Sequence, residues 1–509
     1  MISRRRFLKS TASLLLGSQF LPAFATGPSL KSFKSDPFKL GVASGSPRPE
    51  SVVLWTRLAP DPLKGGGLNP EPIKVKWEVA RDESFHKIVK KGEATAAPQY
   101  AHSVHAEVQG LEPGKEYWYR FFAGDAKSPV GRTKTAPAKD SHNPFRFTFA
   151  SCQMYEQGYY TAHRHIAQED LDLVVFLGDY IYEHSWGHND VRKHEGPEVY
   201  TLDQYRNRYA CYKSDADLQL CHARFPWIVT WDDHEVDNDY ANDLAEDLKA
   251  NFLLRRAAAY QAFYEHMPLP PSFAPHNADM KIYQAFDFGQ MARFHVLDDR
   301  QYRDHEVCPK PGRAGSNYIN DCAERKDPKR TILGWEQEKW LSKSLKDSHA
   351  TWDVIAQQTL MAQSKRNGGK FWTDGWDGYP ASRRRLLEAV SNRPVADTLV
   401  IGGDIHSYAV ADLKLDFDKP NSKTVATEVC GTSISSEGPP PEDVNAFLKN
   451  NPHIKFASRD YRGYVRVTLN KNKADVSLRA IESEKIANSK IKDLANFTVQ
   501  KGRPGAEKA

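Results

Sequence analysis

The chain holds 509 residues, with 70 Lys and Arg against 65 Asp and Glu; its first 25 residues supply four of the positive charges and no acid, which leaves the remainder near +1. Such a balance gives no footprint for a polyanion, and no nucleic-acid-binding module, P-loop or GxGxxG turn is legible. No window holds the roughly eighteen consecutive apolar residues that a membrane span needs, so no stable membrane anchor is expected.

The opening Ser3-Arg4-Arg5-Arg6-Phe7-Leu8-Lys9 is followed by an apolar run through Leu14-Leu15-Leu16 to Leu21 and then by Ala23-Phe24-Ala25. A charged head, a short apolar stretch and small residues two apart describe a cleavable signal, here over 1–25, and the paired arginines mark the twin-arginine kind. The expectations are a periplasmic or secreted protein, folded before export, with the twin-arginine translocase as its partner in transit.

Residues 37–137 read as an all-β domain. Short alternating runs such as Ser51–Trp55, Ile73–Val79 and Tyr117–Phe121 lie between turn residues, which is sandwich patterning of the immunoglobulin or fibronectin III kind. Leu111-Glu112-Pro113-Gly114-Lys115-Glu116-Tyr117 resembles the approach to a tyrosine corner. Over 144–485 the pattern changes to apolar strand runs interleaved with helical segments. Strands are predicted at Phe145–Ala150, Leu171–Leu177, Trp227–Trp231, Phe294–Leu297, Trp352–Ala356 and Thr398–Ile401. Helices are predicted at Tyr159–Glu169, Leu248–His266, Trp335–Leu345 and Arg383–Val390. This alternation predicts an α/β catalytic domain with ligands at the carboxyl ends of its strands. Gly431–Pro441 reads as a loop that shapes access, Tyr464–Leu469 and Val476–Leu478 as closing strands, and the basic 486–509 as a tail that frays or covers part of the site. Cys211 with Cys221, and Cys308 with Cys322, are near enough in sequence to clip loops; spacing alone does not decide whether either pair forms.

Four predicted strands end in metal-capable groups. FTFASC ends in Cys152; VVFLGDYIY ends in Asp179 with Tyr182 three residues on; WDDHE supplies Asp233 and His234; IGGDIH supplies Asp404 and His406. A lone aspartate after a strand is more often a cap or turn former than a ligand. Four such ends, separated by crossover-length segments, can converge on one crevice.

The strings FASCQ, GDYIYE, WDDHEVDND, GGDIHS and RRAAAYQAFYEHMPL resemble PhoD-like alkaline phosphatases, members of the calcineurin-like metallophosphoesterases and relatives of purple acid phosphatases. The resemblance implies a metallophosphoesterase β-sandwich flanked by helices, preceded by the all-β domain. It also implies hydrolysis of phosphate mono- and diesters by metal-activated water. By the same resemblance, Cys152, Asp179, Tyr182 and His406 would hold Fe(3+), and Asp179 would bridge to a second metal drawing on Asp233, Asn238 and Asp404. Those all-oxygen donors favour calcium or another hard divalent ion, and Gln357 stands where dinuclear relatives commonly carry a histidine. His234 is placed to protonate the leaving alkoxide or bind phosphate. Arg255 is the candidate phosphate clamp, with Arg256 and Arg300 as alternatives. Competing readings are a phospholipase D-like phosphodiesterase of the same superfamily and an exported phosphate- or metal-binding protein without turnover.

Overall fold

The computed structural model describes residues 33–187, 190–393, 397–419 and 421–509; the arginine-rich leader lies outside them. Two large sheets face each other. The first runs, from one edge, Arg503–Lys508, Ile491–Gln500, Lys473–Ile481, Gly463–Leu469, Phe145–Ala150, Leu173–Phe176, Pro226–Val229, Val42–Gly45, Ser51–Arg57 and Ser103–Gln109. The second runs Gln284–Phe288, Ala292–Val296, Trp352–Ala356, Asp397–Gly402, Thr424–Cys430, Tyr408–Lys414 and Ile454–Ser458.

Strand periodicity decides what fills the space between them, because successive side chains point to opposite faces. Phe147, Phe149 and Val175 turn inward to meet Phe294, Val354 and Leu399 of the second sheet. Ala150, Val174 and Phe176 turn outward, against helices Thr161–Gln168, Leu202–Lys213, Ala216–Arg224 and Phe252–His266. On the far side, Ile355 and Val400 pack beneath helices Trp335–Lys346 and Pro380–Ser391. Being covered on both faces explains why the central parallel strands read as unbroken apolar runs.

A five-stranded sheet of Ile73–Ala80, Ile88–Ala96, Glu116–Ala123, Ala126–Lys127 and Gly131–Lys134 packs over Ser51–Arg57 and Ser103–Gln109 through Val75, Val79 and Phe121. The N-terminal sandwich therefore shares a sheet with the rest of the chain: Val42–Gly45 pairs in parallel with Pro226–Val229. Its corner forms as the sequence suggests, with the Glu112 backbone N–H donating to the Tyr117 hydroxyl at 2.9 Å.

One reading is corrected, and one left open by spacing is decided. The tail does not fray over the site: Ile491–Gln500 and Arg503–Lys508 extend the edge of the first sheet, and Ala495, Phe497 and Val499 alternate inward while the polar residues face out. Of the two cysteine pairs, Cys308–Cys322 is a disulfide; Cys211 and Cys221 are free, buried on separate helices. Among the described residues no helix is long and apolar enough to cross a membrane.

Candidate metal centre

The parallel strands Phe145–Ala150, Leu173–Phe176 and Pro226–Val229 are in register, so the turns that leave them emerge side by side. Asp397–Gly402 of the facing sheet delivers a fourth turn, and the backbone seam is closed by Ile434 N donating to Ser151 O at 3.0 Å. Four of the expected ligands, Cys152, Asp179, Asp404 and His406, have φ between 50° and 66°. Non-glycine residues seldom adopt that region, and such strain concentrates at functional sites. Gly178, at φ 112°, permits the sharpest of these turns, since a Cβ there would lie 2.4 Å from Asp232 N.

Donor atoms of Cys152, Asp179 and His406 lie within 4.8 Å of one another, and so do those of Asp179, Asp233 and His234. Asp179 belongs to both groups. Its Oδ2 accepts from the Tyr182 hydroxyl at 3.0 Å, while Oδ1 is buried with no hydrogen-bond partner. The Tyr182 oxygen also stands 3.2 Å from His406 Nε2. His406 Nδ1 is 2.7 Å from the Glu437 carbonyl, which can only accept, so Nδ1 carries the proton and Nε2 keeps its lone pair toward the cluster.

The electrostatics are those of a site short of positive charge. Burial, then Asp179 and Asp404, push the Cys152 thiol well up; burial, then Asp179 and Cys152, do the same to the Tyr182 phenol. Asp179 and Asp404 are likewise pushed far above the usual carboxylate range, chiefly by burial. Burial drives His406 down to about 3, so the imidazole is neutral. Thiol, phenol, carboxylates and a neutral imidazole in one pocket, with an orphaned carboxylate oxygen among them, fit a hard cation that would restore their ionised forms.

Asp233 and His234 complete the second group. Asp233 accepts from His234 N at 3.0 Å and Asp239 N at 2.8 Å. His234 Nδ1 is 2.7 Å from Glu183 Oε2, and the ring stacks on Tyr182 at 4.1 Å between centroids. Burial opposes a charge on His234, but Glu183, then Asp233 and Asp179, hold its affinity for a proton well above the usual histidine value. Asp404 stands half-buried at the rim. Asn238 is turned elsewhere: its Nδ2 donates to Glu246 at 3.0 Å and its backbone N–H to Glu183 at 2.9 Å.

Nor does the guanidinium expectation match what is found. Arg255 is committed to Asp237 at 2.6 Å, Glu198 at 3.0 Å and the Tyr205 hydroxyl at 3.0 Å, a network that engages all three guanidinium nitrogens. Arg256 is spent on the carbonyls of Ala278 and Asn242. Arg300 is sealed behind the site against Asp232 and Asp374. Gln357 is also structural, accepting from Trp376 Nε1 at 3.0 Å and Thr359 N at 3.1 Å.

Sequence reasoning passed over the residues that hold the ligands in place. Glu235 Oε1 and Oε2 accept from the backbone N–H groups of Asp179 at 3.0 Å, Tyr180 at 2.6 Å and Asp232 at 2.9 Å. Arg462 donates to the carbonyls of His406 and Ser436, both at 2.9 Å. Ser436 Oγ lies 2.8 Å from both the Tyr182 hydroxyl and the Cys152 carbonyl, which makes the Gly431–Pro441 passage part of the site. Glu183 and Glu235 sit inside motifs already singled out, so an extra carboxylate beside each ligand was the available signal; for Arg462 and Ser436 there was none.

Comparison with known proteins identifies the family and the fold. A family model described as PhoD-like phosphatase matches residues 147–478, and one described as the PhoD-like phosphatase N-terminal domain matches residues 25–137. Alkaline phosphatase D of Bacillus subtilis (strain 168) is 47% identical over 529 aligned residues, which cover 99% of this chain and 89% of the relative. The solved structure of PhoD matches with a TM-score of 0.90 at 47% identity, over 94% of this chain and 93% of that one. Purple acid phosphatase PPD1 from yellow lupin (Lupinus luteus) seeds matches with a TM-score of 0.58 at 13% identity, over 91% and 74%, a likeness of fold alone.

Proposed function

The chain belongs to the PhoD-like phosphatase family and is a phosphoester hydrolase; from that premise we propose that it is an exported, metal-dependent alkaline phosphatase that cleaves both mono- and diesters. The observation that carries the metal reading is the sharing of Asp179 between two donor groups, Cys152–Asp179–His406 and Asp179–Asp233–His234. Cys152, Asp179, Tyr182 and His406 would hold Fe(3+): three anionic donors suit a hard trivalent ion. Asp179, Asp233 and Asp404, with Asn238 once its amide turns from Glu246, would hold calcium or another hard divalent cation. Two such cations supply an acidified water as nucleophile and clamp the oxygens of the phosphoryl group.

The chain's own residues do the rest. Glu183, wholly buried, fixes the Nδ1–H of His234, a ring grouped with Asp179 and Asp233, and leaves Nε2 as the nitrogen without a protein partner among the described residues. Held there, His234 can deliver a proton to a departing alkoxide, which a poor leaving group requires. The orientation of the His406 ring by the Glu437 carbonyl fixes which nitrogen faces the cluster. Burial of Cys152, Asp179 and Tyr182 excludes bulk water from the charges that matter.

Elemental analysis of the purified protein, run beside assays on p-nitrophenyl phosphate, bis(p-nitrophenyl) phosphate and a phospholipid, tests this reading. Iron and a divalent metal in near-equal amounts are expected, with turnover of the first two esters. A protein that hydrolyses them with no bound metal would contradict it, and selective turnover of the phospholipid would move the assignment to a phospholipase D-like enzyme. Replacing Arg4 and Arg5 by Lys should leave the enzyme in the cytoplasm; secretion of that variant would remove the twin-arginine route.

A further inference from the structure

A cavity of about 240 Å³ opens on the rim formed by Asp404 and His406. Its outer wall is aromatic. Tyr318 and Trp372 stand on a two-stranded ribbon, Tyr318–Ile319 paired with Phe371–Trp372, with ring centroids 4.5 Å apart. Tyr318 is 44% exposed although it faces this cavity, and it rides on the loop closed by Cys308–Cys322. Asn317 N donates to Thr373 Oγ1 at 2.8 Å, which ties the two arms of the ribbon together.

The remaining wall carries Arg366. Its backbone is pinned, with its N–H on the Lys370 carbonyl at 2.8 Å and its own carbonyl accepting from Asn450 at 3.1 Å. Its side chain is not: Nε is buried with no hydrogen-bond partner, and among the described residues no carboxylate lies within ion-pair distance of the guanidinium. The guanidinium rests near the Phe447 ring, 5.3 Å from its centroid. Asp443 lines the same wall without pairing to it, and the adjacent Lys365 is taken by Asp418 at 2.8 Å. Arg255, Arg256, Arg300 and Arg462 are all committed elsewhere, whereas Arg366 lines the cavity without an ion-pair partner among the described residues. A guanidinium that lines a cavity with no carboxylate to pair with has donors free for an anion that enters it.

We propose that this cavity is the subsite for the organic part of the ester, with Tyr318 and Trp372 covering its carbon skeleton and Arg366 reading a second phosphate on it. Favoured substrates are then organic bisphosphates, in which a second phosphoryl group sits on the same carbon skeleton. The inference rests on the phosphoesterase reading and adds a specificity to it.

The test uses the full, metal-loaded protein and a matched pair of probes, fructose 6-phosphate and fructose 1,6-bisphosphate. Binding is followed by tryptophan fluorescence, which Trp372 reports, and hydrolysis by phosphate release. The wild type should bind the bisphosphate roughly tenfold to a hundredfold more tightly, the range of one charge-assisted contact. Arg366→Gln should bring the two affinities together, and Arg366→Lys should keep part of the difference. Equal affinities in the wild type would overturn the subsite, as would an Arg366→Gln protein that keeps the preference or weakens both probes alike. Failure to hydrolyse p-nitrophenyl phosphate would instead strike the phosphatase reading, and the binding comparison would still decide the role of Arg366.

Discussion

Replacing Glu183 by Gln isolates the charge behind His234. Glu183 is 0% exposed and uses both oxygens: Oε1 takes His184 Nδ1 at 3.1 Å and Asn238 N at 2.9 Å, and Oε2 takes His234 Nδ1 at 2.7 Å. Glutamine keeps the shape but has one acceptor oxygen for these three donors and no charge to stabilise an imidazolium. A hydrogen bond to a charged group contributes about 1.5–3 kcal/mol, so kcat/KM should fall roughly tenfold to a hundredfold where protonation of the leaving group limits the rate. An alkyl ester such as glycerol phosphate makes that demand. p-Nitrophenyl phosphate does not, because its phenolate departs unaided, and its loss should stay within about threefold. The assay is kcat/KM for both esters, with Tm and metal content measured on the same samples. Parallel losses on the two esters would refute the proton-delivery role and leave Glu183 as a support for the Asn238 backbone.

Three further outcomes follow from the packing. Gly178→Ala places a methyl 2.4 Å from Asp232 N at a φ of 112° and should cost roughly 2–4 kcal/mol in denaturant unfolding, with loss of bound metal; a variant of wild-type stability would mean the turn is softer than its contacts imply. Lys213 is buried against the Trp55 ring, 4.2 Å from its centroid, and burial pushes its ammonium down to about 7. The unfolded chain holds that proton up to about 10.5, so the buried group weakens the fold below pH 7 and the penalty fades as pH rises toward 10.5. Lys213→Met should therefore raise Tm most at or below neutral pH and least near pH 10; a gain independent of pH would point to packing instead. Replacing Cys308 and Cys322 together by Ser opens a loop with a sequence separation of 14 and should cost at most about 3 kcal/mol, read by thermal unfolding, with no change in the free-thiol count after reduction is blocked.

Much of the catalytic core was legible because it is local. Strands Phe145–Ala150 and Trp352–Ala356 fall where their apolar runs predict, and the turns after four strands carry the donors that the structure gathers. Periodicity could not find helices Leu202–Lys213 and Ala216–Arg224. Buried Arg208, Lys213 and His222 break their apolar faces, and each finds a partner only in the folded chain: Arg208 the Tyr182 and Pro197 carbonyls, Lys213 the Trp55 ring, His222 the Tyr180 hydroxyl. The tail was misread for the opposite reason: Lys490, Lys492, Lys501, Arg503 and Lys508 make it basic, while the alternation of Ala495, Phe497 and Val499 that makes it a strand is carried by three residues. Arg255 illustrates a third limit. An arginine on a helix near ligand motifs reads as a phosphate clamp, and only the fold reveals that Asp237, Glu198 and Tyr205 had already claimed it.

The deeper gap concerns what keeps the ligands in place. Cys152, Asp179, Asp404 and His406 each sit in a left-handed conformation that costs on the order of 1–3 kcal/mol, so the three turns that carry them must be held against their own preferences. The fastenings come from far along the chain. Arg462 reaches His406 across 56 residues and Ser436 reaches Tyr182 across 254, while Glu235 ties the Asp179 turn across 56. A ligand motif records which atom meets the metal, but the strain that aims it is balanced by contacts with no sequence spacing of their own. Loss of Arg462 should therefore disturb the Tyr182 and His406 arms together, because one guanidinium bonds the carbonyls of both His406 and Ser436.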